Sequence, residues 1–102
     1  MSTQNPSMHA RVAADALDRL VREVKAGRAE WAHPVFVRQA ADDLARVLEA
    51  GATVLQQLAA AHGQLDRRPG PVVEQTTAAL HQAGQHATVA VTHLRHARRT
   101  LP

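Results

Sequence analysis

Four of the chain's seven histidines, His81, His86, His93 and His96, lie between residues 81 and 96. Imidazole can ligate a metal or carry a proton near neutral pH, so their spacing is the first thing to test. His86 and His93 are one heptad apart, and His93 and His96, three apart, share a face if the segment is helical. Helix-borne metal pairs usually recruit a carboxylate or a third histidine at defined spacing. No Asp or Glu follows Glu74, so the pairs lack that complement. Solvated or half-buried histidines are therefore expected, with no metal site and no cofactor. Protonating all seven would raise the formal charge from +3 to +10, and histidines flanking a thin seam are then expected to repel across it in acid.

Arginine forms the second cluster. Arg95, Arg98 and Arg99 stand together near the C-terminal end, and Arg67 and Arg68 are adjacent in an earlier polar stretch. Residues 51–102 contain these five arginines against Asp66 and Glu74, so the whole net charge of +3 resides in that half. Cations in the last turns of a helix complement its dipole and cap free carbonyls. The same residues could also grip phosphate, giving a small nucleic-acid contact surface. No aromatic side chain accompanies them, which removes base stacking as a contributor.

Catalytic chemistry finds little to work with. Cys and Tyr are absent, and Ser2 and Ser7 are the only serines. Asp42 and Asp43 are adjacent, so on a helix they diverge by about 100° and do not form an acid–base pair. No glycine-rich loop follows a strand-like segment. The chain reads as non-enzymatic.

The elements that must carry these residues are helices. Apolar or small residues recur at alternating steps of three and four in three stretches. The first runs Ala10, Ala13, Leu17, Leu20, Val24, Gly27, Trp31; the second Val37, Ala41, Leu44, Leu48, Gly51, Leu55, Leu58, His62. The third runs Val73, Thr76, Leu80, Ala83, Ala87, Ala90, Leu94, Ala97, Leu101. Helices are predicted at about 8–32, 34–62 and 72–99, with a frayed tail at 1–6 and a loop at 63–71. Ser7 is the expected N-cap of the first, and Pro34 and Pro71 suit first-turn positions. Gly51 falls inside the second stripe, where a close backbone approach would offset its helix cost of about 1 kcal/mol. Gly63 is the expected C-cap. Val47, Val54 and Ala61 widen the second stripe enough to meet two neighbours.

These features predict one all-α domain of 102 residues, an antiparallel up-down-up three-helix bundle with heptad-like, alanine-rich seams. Alanine supplies 21 residues and isoleucine none, so the seams allow close packing but bury little area per residue. Such thin seams suit a chain that associates with a second copy. Trp31 and Phe36, the only aromatics besides histidine, flank the first turn. They are expected to close one end of the bundle or to anchor a partner. The apolar runs are too short to span a bilayer, there is no signal-like leader, and a cytoplasmic protein is expected. The composition points to a non-enzymatic interaction module, a self-associating adaptor or an accessory subunit of a larger complex, and most simply a homodimer. The alternative is a nucleic-acid accessory protein using Arg67, Arg68, Arg95, Arg98 and Arg99.

Overall fold

The computed structural model describes residue 5 and residues 7–28, 31–65 and 70–102. They form three helices, α1 (Ser7–Lys25), α2 (Pro34–Leu65) and α3 (Pro71–Thr100), with no strand among them. The all-α class and the helix count agree with the sequence pattern. The chain divides into two compact units, 1–32 and 33–102.

Unit 1 is built on α1. Its start is held by Asn5, whose Oδ1 accepts from the Ser7 backbone N–H at 3.0 Å and from the Ser7 hydroxyl at 2.8 Å. The capping side chain is therefore Asn5, and Ser7 already belongs to the first turn. The helix stops at Lys25, well before the expected residue 32. Gly27 is the cause: at φ +73° it is left-handed. Arg28 N–H reaches the Glu23 carbonyl at 2.9 Å and Gly27 N–H the Val24 carbonyl at 3.1 Å. Those two bonds define a Schellman stop, so Gly27 terminates α1 and does not extend its stripe. No described residue of α1 is buried; Leu17 and Leu20 are half-buried and Met8, Val12, Val21 and Val24 exposed.

Unit 2 is a helical hairpin. The His33 carbonyl receives the Phe36 N–H at 3.0 Å, with Pro34 in the first helical position where a missing N–H costs nothing. Helix α2 runs through Gly63 to Leu65, so Gly63 is a helical residue and not the cap. Helix α3 begins at Pro71, carries Glu74 in its first turn and Arg98 and Arg99 in its last, and ends as the Leu101 N–H bonds the Arg98 carbonyl. These charges match the helix dipole at both ends.

The two helices run antiparallel: Gly84 lies against Ala52 and Leu55, Arg95 against Glu49 and Arg98 against Asp42. On α2 the inward row is Ala41, Ala45, Leu48, Ala52, Leu55, Ala59, His62. On α3 it is Val73, Thr77, Leu80, Gly84, Ala87, Val91, Leu94, Arg98, Leu101. Both are unbroken heptad rows of alternating steps. Just over half the expected positions recur in these rows: 41, 48, 55 and 62, and 73, 80, 87, 94 and 101; Val37, half-buried, precedes the first of them. The intervening ones are each one residue too early. Ala45, Ala52 and Ala59 replace Leu44, Gly51 and Leu58, while Thr77, Gly84, Val91 and Arg98 replace Thr76, Ala83, Ala90 and Ala97.

The reason is interhelical distance. Buried side chains are Ala41, Ala45, Ala52, Ala59 and Val91, so small groups bring the backbones close, and Leu44 and Leu58 fall to the flank of the α2 row. A Cβ added at Gly84 would sit 3.4 Å from the Ala52 carbonyl oxygen and 3.4 Å from Gln56 Cγ. The close approach falls there. Around Gly51 a Cβ would meet nothing within 4 Å, so its expected role in this seam is overturned. Near the loop end the same register sets His62 opposite Thr77. His62 Nε2 and Thr77 Oγ1 are buried with no hydrogen-bond partner among the described residues.

Candidate interaction surface

The hairpin has two unlike sides. On one, Arg95 pairs with Glu49, and Arg98 Nε lies 3.0 Å from Asp42 Oδ1, close enough for attraction without hydrogen-bond alignment. A shallow groove beside them is lined by Glu49, Thr53, Gln56, Thr88, Thr92 and Arg95. Its threonines spend their hydroxyl protons on their own helices: Thr53 on the Glu49 carbonyl, Thr88 on Gly84 and Thr92 on Thr88. That leaves the groove few donors with which to orient a small molecule.

The arginine cluster is thus divided. Arg95 and Arg98 tie α3 to carboxylates of α2, while Arg99 is exposed with its guanidinium 3.3 Å from His96 Nδ1. Arg67 and Arg68 lie outside the described residues. His81, His86, His93 and His96 are all exposed on α3. No group of three or more His, Cys, Asp or Glu side chains converges for a metal among the described residues. Nor is any described helix long and apolar enough to cross a membrane.

Each aromatic is described within its own unit. Trp31 is 45% exposed. Phe36, at the start of α2, is 41% exposed and meets His33 edge to face, with ring centroids 5.4 Å apart at 88°. His33, unremarked in the sequence, is therefore the ring that positions Phe36.

The other side of the hairpin is apolar. At about 100° per residue, the row Ala40, Leu44, Val47, Gly51, Val54, Leu58, Ala61, Leu65 lies roughly a quarter-turn round α2 from its inward row. On α3 the row Val72, Thr76, Ala79, Ala83, His86, Ala90, His93, Ala97 is displaced in the same rotational sense. In antiparallel helices equal rotations from a shared seam turn toward the same side, so both rows line one face. Asp42 and Glu49 on α2 and Thr88, Thr92 and Arg95 on α3 are displaced in the opposite sense, in keeping with this assignment, while Arg98 reaches Asp42 from the inward row. Val54 is 54% exposed and Leu58 48%, with Leu44 and Gly51 half-buried. Among the described charged residues only Asp43 borders this face, at its outer edge and 3.5 Å from Arg46.

The positions that the sequence pattern placed one residue too early all fall here. Leu44, Gly51 and Leu58 on α2, and Thr76, Ala83, Ala90 and Ala97 on α3, form the inner edges of the apolar face. Two adjacent stripes had been merged into one. The signal that separates them is size at the alternating positions, where Ala45, Ala52 and Ala59 accept the closest neighbour and Leu44 and Leu58 beside them do not.

No protein-family model, curated protein or solved structure matches this chain.

Proposed function

We propose that this protein is a non-enzymatic helical interaction module whose working surface is the apolar side of the α2–α3 hairpin. The observation that carries this reading is the pair of apolar rows on α2. One is closed against α3, and the other runs the helix's length with Val47, Val54, Leu58 and Leu65 exposed. Contiguous apolar patches beyond a few hundred Å² are uncommon on monomers and mark places where another surface docks. The cysteine-free composition and the self-committed hydroxyls of the groove favour binding over catalysis. The role proposed is that of an adaptor or accessory subunit. Arg95 and Arg98, engaged with Glu49 and Asp42, are read as ties within the hairpin.

A single cysteine introduced by Val54→Cys tests the reading, with Thr53→Cys on the other side as control. In a native extract of the source cell, position 54 should alkylate at least about tenfold more slowly than position 53, and both should equalise in urea. Equal rates in the native extract would refute the reading. So would protection of position 54 that persists in purified monomer, because the chain would then be covering the face itself.

A further inference from the structure

Helix α2 carries a symmetry that α3 does not. Outward from Gly51, this exposed to half-buried row repeats its residue types in both directions as far as its third pair: Val47 and Val54, then Leu44 and Leu58, then Ala40 and Ala61, with the unlike Val37 and Leu65 at the ends. A row of this kind is suited to meeting its own copy. In a two-fold contact residue i touches residue j and j touches i, so an antiparallel crossing at Gly51 sets valine on valine and leucine on leucine. We infer that the apolar side of the hairpin seats a second copy of this chain, with the two α2 helices crossing antiparallel at Gly51. This rests on the interaction-module reading above and names its partner.

Three further observations support the crossing. Glycine within a helix is unfavourable, and a Cβ at Gly51 would meet no described atom within 4 Å, so the residue serves no close approach inside the hairpin. At the proposed crossing it is where the two backbones come nearest, as Gly84 serves the seam within the hairpin. The face also brings no Lys, Arg or Glu to be desolvated from its two rows, whose polar members are Thr76, His86 and His93 on α3. Asp43 stands at its border beside Arg46, and the pairs of Arg95 and Arg98 are on the far side. Finally, the dimensions are sufficient. The row from Ala40 to Leu65 is about 37 Å long at 1.5 Å per residue, and two adjacent helices are about 18 Å wide, giving about 700 Å² per copy. A standard interface takes about 800 Å² from each partner. The hairpin's own core is five small side chains, and its half-buried leucines would be enclosed by a second layer of helices.

Sedimentation velocity of the purified chain, with Gly51→Leu and Val54→Cys variants, decides the matter. A dimer is expected, and Gly51→Leu should raise its dissociation constant at least about tenfold by forcing the backbones apart. Because a Cβ at Gly51 meets no described atom within 4 Å and leucine is the better helix former, the variant should keep its helical circular dichroism signal. That separates loss of assembly from loss of fold. A dimer indifferent to Gly51→Leu would overturn the crossing. A monomer with position 54 freely reactive when purified, yet protected in native extract, would overturn the second copy and leave the module reading standing with a different partner. A purified monomer with position 54 protected would overturn both.

Discussion

Ala59 has no exposed surface at all, and Ala60 beside it is exposed. Enlarging the first should overpack the closest part of the hairpin, and enlarging the second should find room. Ala59→Leu is expected to cost about 1–3 kcal/mol in urea unfolding, and Ala60→Leu to stay within about 0.5 kcal/mol of the parent. The Arg95–Glu49 pair makes a weaker claim, since both side chains are more than half exposed. Arg95→Ala should cost no more than about 1 kcal/mol at low salt, and the difference should fade as added salt screens the pair. Trp31 offers a direct optical readout, being the sole tryptophan. Its 45% exposure predicts red-shifted emission and ready quenching by acrylamide, checked by a Stern–Volmer titration. An emission that moves to the blue as the protein is concentrated would place Trp31 in an association surface.

The helices respond to glycine according to where each glycine stands. Gly27 occupies the left-handed region, where an L side chain costs about 1–2 kcal/mol, so Gly27→Ala should fray the last turn of α1. Backbone chemical shifts for residues 22–28 would register it. Gly63 lies within helical α2, and a Cβ there would meet no described atom within 4 Å, so Gly63→Ala should stabilise by about 0.5–1 kcal/mol in thermal unfolding. Both outcomes bear on what could be read from the sequence. The three helices were legible because Leu17, Leu48, Leu55, Leu80 and Leu94 recur at helical spacing, and proline marks the starts of α2 and α3. The end of α1 was not, because Gly27 also fits the apolar spacing of its stripe. Only its positive φ and the two bonds around it distinguish a stop from a seam position. The candidate face was half legible. In the sequence Val47 and Val54 widen the apolar stripe of α2, but hydrophobic spacing alone places Leu44 and Leu58 inward, where leucine ranks above alanine. Interhelical contact ranked them the other way, since a methyl group lets two backbones approach where an isobutyl group holds them apart.

At the level of the whole molecule, the unit formed by 33–102 offers two opposite kinds of force. Glu49, Asp42, Arg95 and Arg98 act through charge within the hairpin; Leu44, half-buried, and Val47, Val54 and Leu58, exposed, would act on association through the removal of apolar surface from water. Ionic strength weakens the first, whereas ions excluded from protein surfaces strengthen the second. Two salts of equal ionic strength should therefore be told apart by this chain. Sulfate and chloride would loosen the arginine ties alike, yet only sulfate would drive the bare flank of α2 toward company, so the weight-average mass in sulfate should exceed that in chloride. The chain would then behave as a discriminator of anions without possessing a pocket for any of them.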